Sequence, residues 1–107
     1  MSQATRWFAR PYVAAESLDE LRGPTRGTLT LPRRLDWGPR RPFDLNNDRH
    51  LVIMYETVLN EARQIEDVRQ YINKQILVRL WDRLTLPPDV RRLWEERIPE
   101  LRKRSAA

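Results

Sequence analysis

The sequence predicts a mostly α-helical protein: a small bundle of three to four short helices, preceded by an extended, basic N-terminal arm with at most a short strand or hairpin. Apolar residues recur at spacings of three and four over most of residues 44–101, which is typical of amphipathic helices. Residues 1–43 are instead rich in arginine and proline and show little helical period. We therefore divide the chain into an arm (1–43), a helical domain (44–101) and a basic tail (102–107).

The clearest helix is predicted over Asp44–Ala62. Its apolar stripe consists of Leu51, Met54, Tyr55, Val58, Leu59 and Ala62. Four short polar residues precede the stripe, and any of them can cap the first turn by accepting from free backbone N–H groups. They are Asp44, Asn46, Asn47 and Asp48. We interpret the stripe as a core face, with docking of part of it on a partner as the alternative.

Shorter helical segments are predicted after this helix. Their stripes cover Gln64–Asn73, Lys74–Leu84 and a last helix that starts near Pro88. Asn73 is either a break or a new N-cap. Pro99 lies inside the last stripe, so we expect a kink or a frayed end there.

The arm contains two local signals of structure. Ser17–Glu20 has the form of a capping box and is followed by Gly23-Pro24, which predicts one or two helical turns. Gly27–Pro32 reads as a short strand, paired with Arg34–Trp37 or with a strand edge of another protein. Because the arm has little apolar material, we expect it to stay loosely attached until a partner orders it, with weak amide-exchange protection.

The loop between this strand and the first helix carries the predicted partner-binding residues. Three breakers prevent regular structure over residues 35–43. Its two aromatic side chains either fold back onto the helices or contact a partner, as Trp and Arg often do at interfaces. The predicted partner-binding set is Arg33, Arg34, Trp37, Arg40, Arg41 and Phe43.

The net charge of +5 is concentrated on the arm, whose sequence contains eight arginines and four acidic residues. A basic arm suits nucleic acid or an acidic protein surface. The absence of cysteine excludes disulfides and thiolate metal sites. No apolar run is long enough to cross a bilayer, and none near the start resembles a signal peptide. These features favour a cytoplasmic protein.

Catalytic chemistry is sparse in the sequence. His50 is the only histidine and lies beside Asp48 and Arg49, so we interpret it as a surface residue. There is no phosphate-binding glycine loop and no metalloprotease motif. Acidic pairs such as Glu66-Asp67 are typical of solvated ion-pair faces. The sequence therefore predicts a protein that is not an enzyme, with no cofactor and no metal.

Residues 64–72 and 74–84 could mimic a helix-turn-helix. The donors available for a recognition face are Lys74, Gln75, Arg79 and Arg83. Asp82 interrupts them, and no glycine marks the turn. This pattern does not favour sequence-specific DNA binding.

The order of short motifs over residues 17–101 is similar to that of a known family. The motifs are Ser17-Leu-Asp-Glu-Leu-Arg-Gly-Pro24, Leu31-Pro-Arg-Arg-Leu-Asp-Trp37, Phe43-Asp-Leu, Met54-Tyr-Glu-Thr-Val-Leu59, Leu77-Val-Arg-Leu-Trp-Asp-Arg-Leu84, Leu86-Pro-Pro and Val90-Arg-Arg-Leu-Trp94. The chain resembles short actinobacterial antitoxins encoded beside nucleotidyltransferase toxins of the AbiEii/MenT kind. The resemblance implies an antitoxin that binds and neutralises a cognate nucleotidyltransferase toxin, and it assigns no inhibitory residue.

Two alternative functions remain open from the sequence. A small basic DNA-binding regulator is motivated by the net charge and the basic arm, and nucleic acid is therefore a secondary partner. An accessory subunit of another enzyme is the third interpretation. No membrane partner is expected.

Overall fold

The structure, a computed structural model, describes residues 12–106, with side chains as far as Arg102. Residues 1–11 of the predicted arm and residue 107 of the predicted tail lie outside the described residues. The part of the predicted arm that the structure describes is therefore 12–43.

The described residues form five α-helices and one two-stranded antiparallel sheet. The helices are α1 (Asp48–Glu61), α2 (Ile65–Tyr71), α3 (Lys74–Leu80), α4 (Pro88–Arg97) and α5 (Pro99–Ala106). The strands are β1 (Thr28–Leu29) and β2 (Phe43–Asp44), and two short 3₁₀ turns lie at Leu18–Glu20 and Trp81–Arg83. The predicted fold class, a small helical bundle with a short hairpin, is confirmed. None of the helices in residues 12–106 is long and apolar enough to span a membrane.

Asparagine side chains set the starts of two helices. The Asn47 side chain accepts from the backbone N–H groups of Arg49 and His50, at 2.9 Å and 3.3 Å. Asn47 is thus the cap of α1, and residues 44–47 lie outside the helix that was predicted to include them. Asn73 caps α3 in the same way, so it is a new cap as well as a break.

The last predicted helix is two helices because of its internal proline. Pro99 has no N–H to donate to the carbonyl four residues earlier, and its ring would clash there. Helix α4 therefore ends before Ile98, which has φ −127° and ψ 86°, and α5 starts at Pro99. The carbonyl of Glu95 instead accepts from the Arg102 guanidinium at 3.3 Å.

The described part of the arm packs into the same hydrophobic core as the helices. Large apolar side chains at four positions are at most 3% exposed: Leu21, Leu31, Leu35 and Phe43. They belong to one cluster with the fully buried Trp81 and Trp94. The expected boundary at residue 43, between a loosely attached arm and a helical domain, is corrected for residues 12–43. The reason is that the few large apolar residues of the arm are spaced so that most of them reach the core.

One short segment of the arm lies directly against the junction of α2 and α3. The backbone N–H of Arg22 donates to the Arg69 carbonyl, and that of Gly23 donates to the Ile72 carbonyl, both at 2.9 Å. A Cβ atom on Gly23 would lie 2.5 Å from the carbonyl carbon of Tyr71. The close backbone contact therefore requires glycine at this position.

Strand β1 pairs with β2 and not with residues 34–37, which were the expected hairpin partner within the chain. Leu29 lies opposite Phe43 in the register. Residues 34–37 are unavailable because the Pro32 carbonyl accepts from the backbone N–H of Leu35 at 2.9 Å. This turn directs the Leu35 side chain into the core.

Candidate partner-binding surface

The loop that joins β1 to β2, here called the Trp37 loop (residues 30–42), is held against the helices. Leu31 and Leu35 are 1% and 2% exposed. Between them, Arg34 donates through Nη2 and Nε to the two carboxylate oxygens of Asp67 on α2, the second bond at 3.4 Å. Asp67 is itself only 3% exposed. The loop backbone is therefore positioned without any contribution from burial of Trp37.

Trp37 and Ile53 are the large apolar side chains that the described residues leave exposed, at 75% and 42%. Both line one open groove of about 350 Å³ between the Trp37 loop and the outer face of α1. The other lining residues are Leu35, Asp36, Gly38, Glu56, Thr57, Asn60 and Glu61. An exposed aromatic side chain beside an exposed aliphatic one on a concave surface is typical of an interaction site.

Ile53 is the groove residue that the sequence interpretation missed. It shares the outer face of α1 with Glu56, Thr57 and Asn60, at helical spacings of three and four. The core stripe of α1 does not use this position, because Ile53 falls outside the set of buried residues. An isoleucine within an otherwise polar helix face was the signal that could have identified it.

The predicted partner-binding residues separate into three groups. Exposed side chains with no described ion pair are Arg33, Trp37 and Arg40. Arg34 and Arg41 are also exposed, but each is paired within the chain: Arg34 with Asp67 and Arg41 with Asp36, the latter at 3.3 Å. Phe43 is buried. Five of the six predicted residues are thus exposed. Three of these five are not held in an ion pair within residues 12–106.

Phe43 requires a correction, because it is 2% exposed and does not present its ring to a partner. It lies in β2, and its ring packs edge-on to His50 with centroids 6.4 Å apart. The Arg41 guanidinium carbon lies 4.9 Å from the centroid of the same ring. Pairing of β2 with β1 directs this aromatic side chain inward, where it helps to position the Trp37 loop.

His50 ties the sheet to the first helix. Its Nδ1 accepts a hydrogen bond from the backbone N–H of Asp44 at 2.9 Å. A ring nitrogen that accepts carries no proton, so the proton of the neutral ring lies on Nε2. This half-buried position gives the only histidine a structural role at the end of β2.

The donors expected for a helix-turn-helix are largely occupied by ion pairs. Asp48, in the first turn of α1, accepts from Arg79 at 2.9 Å and from Arg83 at 3.2 Å. The hydrogen bond from Arg79 holds the pKa of the Asp48 carboxyl below its usual range. Lys74 donates to Asp19 at 3.0 Å. Three of the four side chains that could read DNA, those of Lys74, Arg79 and Arg83, are therefore held in ion pairs with other elements of the fold.

Within residues 12–106, no three His, Cys, Asp or Glu side chains converge in a way that could hold a metal ion. No protein-family model, curated protein or solved structure matches the chain.

Proposed function

We propose that the chain is an antitoxin that binds a cognate nucleotidyltransferase toxin and neutralises it by protein–protein contact. The observation that carries this proposal is Trp37, which is 75% exposed on a loop that buried Leu31 and Leu35 anchor to the core. Tryptophan buries most of its surface in typical proteins. Tryptophan and arginine are also the residues that contribute most to interface energy. Trp37, with Arg33 and Arg40 on the same loop, is thus suited to a protein partner.

The contacts of the Trp37 loop support binding with little rearrangement. Arg34 is paired with Asp67, and Arg41 is paired with Asp36. A loop that is already positioned loses less conformational entropy when it binds, so more of the contact energy appears as affinity. In this proposal Arg34 and Arg41 position the loop, while Trp37 makes the contact.

The exposed arginines suit the chemistry of the proposed partner. A nucleotidyltransferase site must be acidic to hold Mg²⁺. Arginine pairs with carboxylates through two parallel hydrogen bonds. Arg33 and Arg40 are exposed and have no ion pair within residues 12–106, so they remain available for such contacts.

The test is co-purification of the chain with the product of the gene adjacent to its own, followed by growth with and without the chain. We expect Trp37→Ala to weaken the complex by roughly 30-fold or more and to abolish growth protection. Arg40→Ala should weaken it less, because an exposed ion pair contributes little. Arg92→Ala, an exposed arginine on α4, is the matched control and should protect fully. Full protection by a folded Trp37→Ala variant would contradict the proposal.

The DNA-binding alternative retains one observation. Arg26, Arg33 and Arg40 form no ion pair within residues 12–106, and the full sequence carries a net charge of +5. Phosphate binding would make the affinity for duplex DNA fall steeply with salt. A gel shift at low salt that disappears at physiological salt would favour this alternative, and no shift at low salt would remove it. An accessory subunit of another enzyme would instead co-purify with a product that does not affect growth.

A further inference from the structure

The carboxylates that line the groove between the Trp37 loop and α1 are already engaged within the chain. Asp36 is paired with Arg41 at 3.3 Å. Glu56 accepts from the backbone N–H of Thr85 at 2.6 Å. Glu61 also has an interaction within the chain. A ligand in the groove therefore gains little by presenting cations to these side chains.

The neutral polar side chains of the groove form hydrogen bonds to their own helix. The Thr57 hydroxyl donates to the Ile53 carbonyl at 2.8 Å. The Asn60 amide nitrogen donates to the Glu56 carbonyl, also at 2.8 Å. The main surface left for a ligand is the apolar surface of Trp37 and Ile53, which are 75% and 42% exposed. A ligand that suits the groove therefore places an apolar side chain between these two residues.

Two uncompensated cations lie on the same loop as Trp37. Arg33 precedes it and Arg40 follows it, each within four residues along the chain. Both side chains are exposed and form no ion pair within residues 12–106. Arginine pairs best with carboxylate or phosphate oxygens, through two parallel hydrogen bonds. Charge complementarity therefore calls for a ligand that is anionic next to its apolar group.

An acidic polypeptide fits this surface better than a nucleic acid does. A nucleic acid carries a negative charge on every nucleotide, so its backbone would bring phosphates along the groove beside Asp36 and Glu56. Like charges placed side by side weaken binding. A polypeptide can carry its acidic residues only where Arg33 and Arg40 lie and remain neutral beside α1.

We propose that this surface binds a segment of the partner protein in which a large apolar residue is flanked by aspartate or glutamate. The apolar side chain lies between Trp37 and Ile53, and the acidic side chains pair with Arg33 and Arg40. The proposal deepens the proposed function by naming the chemistry of the segment that the partner presents, and it rests on that function for the partner's identity.

The chemistry can be tested with a displayed library of random dodecapeptides selected on the immobilised full-length chain. Peptides that also bind the Ile53→Ala variant are removed, since alanine suits the helix and deletes only the apolar contact. We expect the remaining peptides to carry aspartate or glutamate next to a large apolar residue. A remaining set that is basic or neutral, or no peptide that distinguishes the two proteins, would overturn the proposal.

The charge contribution can be measured with one selected peptide and two double variants. Arg33→Gln with Arg40→Gln should weaken binding by roughly 3- to 30-fold, because two exposed ion pairs are lost. The matched control, Arg22→Gln with Arg92→Gln, removes the same charge from exposed positions outside the loop and the groove. It should bind normally at physiological salt, where long-range attraction is screened. Equal weakening in the two double variants would refute the charge assignment.

The nature of the ligand can be checked by competition. A single-stranded oligothymidylate of similar length should leave the selected peptide bound at physiological salt. Displacement of the peptide from the natural chain, but not a residual peptide from Trp37→Ala, would identify nucleic acid as the ligand of this surface and overturn the proposal.

The two proposals fail in different ways. A chain that selects acidic, apolar peptides but does not protect growth would retain the groove assignment and lose the antitoxin function. A chain that protects growth while its groove selects no such peptide would retain the function and lose the groove assignment.

Discussion

Tyr55 shows how a single side chain joins two parts of this fold. Its ring is fully buried in the stripe of α1. Its hydroxyl oxygen accepts a hydrogen bond from the backbone N–H of Asn73 at 2.9 Å. Asn73 also caps α3, so this one hydroxyl connects α1 to the start of α3. Burial raises the pKa of Tyr55 to about 12.

Replacing Tyr55 with phenylalanine should lower the free energy of unfolding by roughly 1–3 kcal/mol, since the N–H of Asn73 loses its acceptor. Urea unfolding monitored by circular dichroism measures the change. Tyr71→Phe is the matched control, because no hydrogen bond to the Tyr71 hydroxyl is described, and it should cost less than about 0.5 kcal/mol. Equal losses in the two variants would contradict this role of Tyr55.

The same hydroxyl predicts an alkaline limit on stability. A tyrosine whose pKa is raised in the folded state stabilises the fold fully below its unfolded pKa of about 10. That contribution is lost as the pH rises through the folded pKa of Tyr55, about 12. The urea midpoint of the natural chain should therefore fall over this interval, and that of Tyr55→Phe should fall less. An equal fall of the urea midpoint with pH in the natural chain and in Tyr55→Phe would argue against the raised pKa of Tyr55.

Among the elements, the junction of α2 and α3 is where the arm attaches. Besides the two backbone hydrogen bonds from Arg22 and Gly23, the Asn73 side chain donates to the Gly23 carbonyl at 3.4 Å. Asp19 of the arm also forms an ion pair with Lys74 at the start of α3. The backbone groups of Arg22 and Gly23 are ones that every residue carries, so their contacts leave little trace in the sequence.

The attachment predicts contrasting effects for two glycines. Gly23→Ala should destabilise the fold by roughly 1–3 kcal/mol, because the new methyl group meets the Tyr71 backbone, which cannot move independently of α2. Gly38→Ala should be neutral or slightly stabilising for folding, since its Cβ would meet only the Asp36 carboxylate at 3.9 Å. Thermal unfolding of both variants provides the comparison. Similar melting temperatures would show that the arm does not contact the junction closely.

At the scale of the whole molecule, the arm and the helices share one core, which reverses an expectation from composition. The backbone N–H groups of Arg22, Gly23 and Leu45 are all hydrogen-bonded at 2.9 Å. Amide exchange on the isolated full-length chain should therefore show strong protection at these positions. Weak protection before about residue 43 would instead support an arm that only a partner orders.

The sequence by itself determined the features that depend on neighbours along the chain. The stripe of α1, the cap at Asn73 and the interruption at Pro99 follow from helical period, capping and the missing proline N–H, all of which act within a few residues. The start of α1 was placed too early, because four adjacent polar residues were equally able to cap it.

Only the tertiary structure decided which residues of the Trp37 loop face solvent. Trp37 and Phe43 are both aromatic residues among arginines, yet one is exposed and the other is buried. Whether each side chain is exposed or buried depends on pairing of β2 with β1 and on the Arg34–Asp67 contact, which joins residues 33 positions apart. Such distant contacts leave no periodic signal in the sequence. The groove between Trp37 and Ile53 exists for the same physical reason, because it forms only when the loop and α1 are brought together.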